Sequence, residues 1–330
     1  MGKYATFRLA AIQAAPVFFK VEASVQKACR LIAEAGEQGA TIAAFSETWL
    51  PGYPFFIWGE SKDALLQWRA AADYLANSVI VPGPVTDQLC EAARKANLDV
   101  VMGLVERDTT TQGTVYCTLL FIGREGKILG RHRKLKPTHR ERTIWGEGDA
   151  TGLTVYERPY GRISGLNCWE HNMVLPGYAL MSQGTQIHIA AWPGVEPKAP
   201  AAPDPMWSRQ LLLSRAFASQ SAAYVILAGG LHSADDVPPE YKDLASRYRG
   251  DSFIIDPRGE VIAGPAEGER ILMAEGSTEQ ILAAKSAFDI GGHYSRPDIF
   301  QLRINRKPYQ RIVEATGPES ISQASQDTIC

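Results

Sequence analysis

A layered α/β fold with mixed sheets is what this 330-residue chain predicts, and three observations carry the prediction. Short buried-strand runs alternate with helical stretches along most of the chain, the pattern of helices laid against sheets. Two runs meet at Gly123-Arg124-Glu125-Gly126, a hairpin turn that makes part of the sheet antiparallel. No linker and no internal sequence repeat divides the chain, so residues 1–313 read as one domain despite a length that could hold two.

The elements follow in order. Phe7 to Ala14 reads as a buried opening strand, and Ala23 to Gly39 as a helix stopped by Gly39. "TIAAFSE" is a second strand ending at Glu47, followed by the aromatic Pro/Gly-rich loop "TWLPGYPFFIWG". Helices are expected over 61–76 and 86–96, and strands over 98–106, 115–122 and 127–130. The second half repeats the rhythm. A strand to Leu166 precedes a helix over 175–182, then strand "QIHIAAWP", a helix over 205–222 and strand "AYVILAGG". Three further strands, near 252–255, 260–263 and 270–274, read as a meander. "PGVEPKAPAAPDP" is a long loop, and the Ser/Gln/Thr-rich stretch 314–330 reads as a disordered tail.

Composition narrows the function classes. Hydrophobic residues make up 45% and charged residues 21%, ordinary for a globular protein with a substantial core. A net charge of -2 argues against a general polyanion binder and gives no attraction to a membrane surface. The basic run Arg131 to Arg142 lacks the interleaved aromatics of a nucleic-acid site. No apolar stretch approaches the roughly 20 residues of a membrane span. Arg8 and Gln13 fit a strand better than a signal peptide. The five cysteines (Cys29, Cys90, Cys117, Cys168, Cys330) are odd in number and widely spaced. That is no disulfide framework, and it suits a reducing cytoplasm. Glycine-rich phosphate loops are absent, so nothing points to a nucleotide cofactor.

Three strand ends carry the candidate chemistry: Glu47, Lys134 and Cys168. Ligands of open α/β sheets gather at carboxyl ends of strands, so the three could converge on one pocket. A thiol must lose its proton to attack, and a carboxylate whose pKa is raised by burial can take it. A lysine ammonium would favour the thiolate and then stabilise the anion formed on attack. Each residue also has a plain reading: a solvated loop carboxylate, surface charge and a buried small hydrophobe. A Cys168–His171 dyad is conceivable at i+3, although residues across a tight turn need not face each other. A zinc site from Cys168, His171, His132 and His139 has no recurrent ligand spacing behind it.

Four ordered blocks then resolve the chain's kinship: "AAFSETWLPGYP", "GRHRKLKPTHRERTIWGEGD", "GLNCWEHNMVLPGYALMSQGTQIHIAAWPG" and "RGDSFIIDPRGEVIAGP". From Phe7 to about Pro308 the chain resembles the nitrilase superfamily, in its true nitrilase branch, with a likeness to bacterial arylacetonitrilases. The resemblance implies a four-layer α-β-β-α sandwich, no metal or organic cofactor, and a Glu-Lys-Cys constellation of Glu47, Lys134 and Cys168, with Glu141 in support. It implies hydrolysis of an organic nitrile to the acid and ammonia through a thioimidate and a thioester. Tyr53, Pro54, Trp192 and Pro193 are expected to shape the substrate pocket. Trp169 is expected to wall it, and His171 to hold the turn by hydrogen bonds. An aromatic rim suits an arylacetonitrile or hydroxynitrile. Cyanide, amides or N-carbamoyl compounds, and an inactive filament scaffold are the competing readings. The resemblance also implies dimers formed through helices beside the nucleophile, spiral filaments in some members, and an interface region at "GGHYSRPDIF".

Overall fold

The central strands are buried on both faces, and successive residues enter opposite apolar clusters, which sets the layering. The computed structural model describes residues 4–59, 63–195, 208–233, 235–245 and 248–313; the tail over 314–330 and most of the loop over 193–205 lie outside the described residues. On β1 (Thr6–Gln13), Phe7, Leu9 and Ala11 enter one apolar cluster while Ala10 and Ile12 enter another. The first cluster lies between two sheets, and the second lies between a sheet and helices.

In the first sheet β1, β2 (Ile42–Phe45) and β3 (Asp99–Arg107) run parallel. β4 (Val115–Gly123) and β5 (Lys127–Arg133) follow antiparallel, and β12 (Arg270–Ser277) pairs antiparallel with the free edge of β1. The second sheet has the same plan. β7 (Gly161–Asn167), β8 (Ile187–Trp192) and β9 (Tyr224–Gly229) are parallel, β10 (Phe253–Ile255) and β11 (Val261–Ala263) follow antiparallel, and β6 (Tyr156–Arg158) pairs with β7. The two halves share a connection pattern but not a residue pattern, which is why the sequence reveals no repeat.

Helices α1 (Val21–Glu37) and α3 (Pro84–Ala96) cover the outer face of the first sheet. The buried residues of α1 are Val21, Ser24, Val25, Ala28, Ile32 and Ala35, a stripe at helical spacing. The helix stops where predicted: Gly39 takes φ +81°, a left-handed conformation that costs glycine little. Helices α4 (Val174–Met181) and α5 (Arg209–Ser221) cover the second sheet through Leu180, Leu211, Phe217 and Ala218. The result is the four-layer α-β-β-α sandwich. Helix α2 (Ala64–Ala76) lies apart, in an aromatic cluster with Phe19, Phe55, Phe56 and Tyr241.

Three elements differ from the sequence reading. The strand at Arg270 extends to Ser277 and leaves the expected meander to pair with β1 in the other sheet, because alternation specifies a face but not a partner. β6 is only three residues long. Helix α6 (Thr278–Ala287) buries Ile281 alone, so neither β6 nor α6 carries a periodic signal.

Candidate active site

Glu47, Lys134 and Cys168 meet at one end of the two sheets. β5 is antiparallel to β4, which is antiparallel to β3, so β5 runs in the same direction as β2. Lys134 and Glu47 therefore follow the carboxyl ends of like-directed strands, the position where ligands of such sheets collect. The turn bearing Glu47 lies directly on β3, where a Cβ at Gly103 would run into the carbonyl oxygen of Ser46. Cys168 follows β7 with φ +49°, a strained conformation for a residue with a Cβ, and opens the short 3-10 turn Cys168–Asn172.

The cluster is closed. Glu47, Lys134, Glu141 and Cys168 are all buried. The Lys134 ammonium donates to Glu47 Oε1 at 2.8 Å and to Glu141 Oε2 at 2.7 Å. One carboxylate oxygen of each glutamate and the Cys168 Sγ lie within 4.8 Å of one another. Glu141 is itself fixed: Oε2 accepts from the Thr138 N–H at 2.7 Å, and Oε1 accepts from the Tyr53 hydroxyl at 2.8 Å. Glu47 Oε2 has no hydrogen-bond partner among the described residues, which leaves one oxygen of this carboxylate to receive a proton or a water.

Electrostatics assigns the resting protonation. Burial pushes Glu47 up to about 7 against the pull of Lys134. Burial opposes the Lys134 charge, yet Glu47, Cys168 and Glu141 together outweigh it and hold the ammonium well above its ordinary range. Burial and the Glu47 carboxylate push the Cys168 thiol well up, more than Lys134 draws it down. From sequence, the lysine ammonium is expected to favour a thiolate. In the structure desolvation dominates, so the resting group is a thiol and needs a base to attack.

His171 lies in the hydrogen bonds of the turn. Its Nδ1 is 2.7 Å from the Cys168 carbonyl oxygen, and a carbonyl only accepts, so Nδ1 donates. Nε2 of the neutral ring then accepts from His188 Nε2 at 3.1 Å, and His188 Nδ1 accepts from the Ser164 hydroxyl at 2.8 Å. Burial drives His171 down to about 4 and His188 well below its ordinary value, so both rings are neutral. Trp192, at the end of β8, stacks on His171 at 5.3 Å and supports the turn from the outer face. Pro193 follows it, half-buried, and Pro54 is buried beside Tyr53. Trp169 departs from the expectation that it walls the pocket. It is 45% exposed, with the Arg209 guanidinium 4.8 Å above its ring, because the 3-10 turn points it outward. The four candidate zinc ligands face different partners: His132 bonds Glu170, and His139 stacks on Trp58.

Two residues that the sequence reading gave no role hold the site together. The Glu170 carboxylate accepts from the backbone N–H of Leu135 at 2.8 Å, from that of Asn167 at 2.9 Å, and from His132. It thus ties the residue after Lys134 to the residue before Cys168, and its proximity to Cys168 in "CWE" was the only available signal. Cys117 on β4 lies with its Sγ 3.4 Å from Glu47 Oε1, and nothing in its apolar surroundings in sequence marks it.

Comparison with known proteins adds kinship to the geometry. Residues 8–285 match the family described as carbon-nitrogen hydrolase. The chain is 52% identical over 320 residues to "Nitrilase 2" of an unknown prokaryotic organism, covering 96% of this chain and 98% of the other. It is 39% identical to an aliphatic nitrilase of Rhodococcus rhodochrous, over 92% of this chain and 83% of that one. Among solved structures, Saccharomyces cerevisiae Nit3, a member of branch 10 of the nitrilase superfamily, superposes with a TM-score of 0.69. That match has 20% identity and covers 88% of this chain and 96% of Nit3; at that identity it speaks for the fold alone.

Proposed function

The chain belongs to the carbon-nitrogen hydrolase family, and from that premise we propose that it is a nitrilase in which Cys168 is the nucleophile, Glu47 the base and Lys134 the electrostatic stabiliser. The observation that carries this reading is the closed cluster: a thiol, a carboxylate with one free oxygen, and an ammonium held between two carboxylates. Glu47 Oε2 takes the Cys168 proton as sulfur adds to the nitrile carbon. One C–N π bond breaks, and Glu47 passes that proton on to the nitrogen, giving a thioimidate and returning the base to its carboxylate form. A water loses a proton to Glu47 as it adds to the same carbon, and Glu47 passes that proton to the nitrogen. The new hydroxyl then gives up its proton by the same route as the C–N bond breaks, so that ammonia departs and a thioester remains. A second water releases the carboxylic acid and restores the thiol. Lys134 faces the charge that develops at each addition. Glu141 holds Lys134, and Tyr53 holds Glu141.

For the substrate we infer an arylacetonitrile or a hydroxynitrile. Tyr53 packs edge-on against Trp145 at 5.8 Å and lies 5.8 Å from Tyr248, and Trp145 lies 5.3 Å from the Lys134 ammonium; this aromatic wall suits an aryl ring. Likeness to an aliphatic nitrilase supports a second reading, an aliphatic nitrile. Ammonia release from phenylacetonitrile, mandelonitrile, an aliphatic dinitrile, potassium cyanide and phenylacetamide separates these readings. Release from aryl nitriles, lost in Cys168→Ala, is the expected result. Release from the amide alone contradicts a nitrilase, and silence on every compound favours a scaffold.

We also propose a homodimer as the building block. Val174 and Leu175 on α4 and Leu212 on α5 are 79%, 63% and 53% exposed, an apolar face that water disfavours. No helix among the described residues is long and apolar enough to cross a membrane, and Cys29, Cys90, Cys117 and Cys168 are free thiols. A reducing cytoplasm suits such a protein.

A further inference from the structure

We propose that Cys117 is a positioning residue for the base: its S–H occupies Glu47 Oε1, so that the proton of Cys168 is received at Oε2. The inference rests on the reading of Glu47 as the base.

Cys117 lies within β4, fully buried, and makes two contacts with the reacting groups. Its carbonyl oxygen accepts from the Lys134 backbone N–H at 2.8 Å, and its Sγ lies 3.4 Å from Glu47 Oε1. One residue therefore fixes both the main chain of the ammonium and the side chain of the base. Oε1 already accepts from the Lys134 ammonium at 2.8 Å. With the thiol added, Oε1 has two donors and Oε2 has none among the described residues. A carboxylate is most readily protonated at the oxygen that is not already serving as an acceptor, so this asymmetry selects the reactive atom.

The thiol has to remain protonated to donate, and its surroundings ensure this. Burial and the adjacent Glu47 charge push Cys117 well up. The two thiols of the site are thus distinguished by geometry. Cys168 stands on a left-handed turn at a strand end, while Cys117 is held in a regular strand with its proton directed at a carboxylate. The groups facing Glu47 from the surrounding elements are Lys134 after β5, Glu141 in the 3-10 turn His139–Thr143, Cys168 after β7, Cys117 on β4, Tyr53 in the aromatic loop and Tyr74 on α2. The Cys117 donor favours the ionised form of Glu47, and removing it makes the carboxylate hold its proton more tightly.

The test is the acid limb of kcat/KM, measured on phenylacetonitrile or on whichever nitrile of the panel above is turned over fastest, for wild type, Cys117→Ala and Cys117→Ser. Below this limb Glu47 is protonated and cannot act. Cys117→Ala is expected to move the limb to higher pH by about half a unit, the size of one modest hydrogen bond. That is about a threefold loss at a pH well below the limb, read relative to each variant's own plateau. Cys117→Ser restores a donor and returns the limb to the wild-type position or below it. An Ala limb that coincides with the wild-type limb overturns the proposal. If Cys117→Ala does not fold, the serine variant decides, and a serine limb above that of wild type overturns the proposal. Glu47→Gln run beside them keeps the two failures apart. Undiminished kcat/KM in Glu47→Gln removes the base assignment itself. Its loss, with unmoved limbs in the Cys117 variants, removes only the role of Cys117.

Discussion

Between the Cys168 carbonyl and His188, the His171 imidazole is neutral because burial lowers its proton affinity to about 4. Unfolded, the ring takes a proton near its ordinary 6.5; folded, it does so only near 4. Between those values the unfolded chain binds more protons, so this residue makes stability rise with pH across the window and fall as the pH drops through it. Glu47 carries the opposite sign, since its folded value of about 7 lies above the unfolded 4.5 and it destabilises the fold as the pH rises between them. The measurement is therefore a difference. His171→Gln should show a flatter loss of urea stability than wild type between pH 6.5 and 4.5, by up to about 1.4 kcal/mol per pH unit. Equal slopes would contradict a neutral buried imidazole. At this scale the sequence supplied the candidate residue types: a carboxylate and a thiol end apolar strands, whereas Lys134 sits in a basic run and stands out only through the ordered block that contains it. It did not supply their protonation or their holders. Whether the thiol rests protonated depends on burial, and the roles of Glu170 and Cys117 exist only across strands far apart in sequence.

The strand-end turns are set by the strands beneath them. Gly103 of β3 lets the Ser46–Thr48 backbone lie directly on the sheet, and Glu170 joins the ends of β5 and β7 through Leu135 and Asn167. Gly103→Ala should force the Glu47 turn away from β3. The expected outcome is a loss of kcat on the order of 100-fold from misplacement of the base, with the circular-dichroism spectrum of the sandwich retained. Wild-type kcat in a folded Gly103→Ala protein would show that this contact does not set the position of Glu47. Elements with a strong local pattern are legible in the sequence: β1, β3, β4, β8 and β9 lie where buried apolar runs put them, and α1 lies where helical spacing puts it. The exceptions have physical reasons. β6 is too short to alternate, α6 presents almost no apolar stripe, and β12 reads correctly as a strand while its partner in the other sheet is invisible from local pattern.

Two sheets of one plan, each covered by helices on its outer face, leave the apolar surface of α4 and α5 facing solvent in the single chain. Leu175→Asp places a charge in that surface, and a homodimer built there should dissociate to monomer in sedimentation. An unchanged assembly would move the interface elsewhere. The layered architecture was legible because helices and strands alternate, whereas the duplicated strand order was not, since equal topology needs no equal residues. The convergence of Glu47, Lys134 and Cys168 depends on this whole arrangement, with two residues from one sheet and one from the other. Its most direct test is to quench the enzyme in acid during turnover of phenylacetonitrile, or of the fastest nitrile in the panel, and map the peptides by mass spectrometry. The account predicts the added substrate mass on the peptide containing Cys168 and none on that containing Cys117. Substrate mass on Cys117, or undiminished turnover in Cys168→Ala, would contradict it.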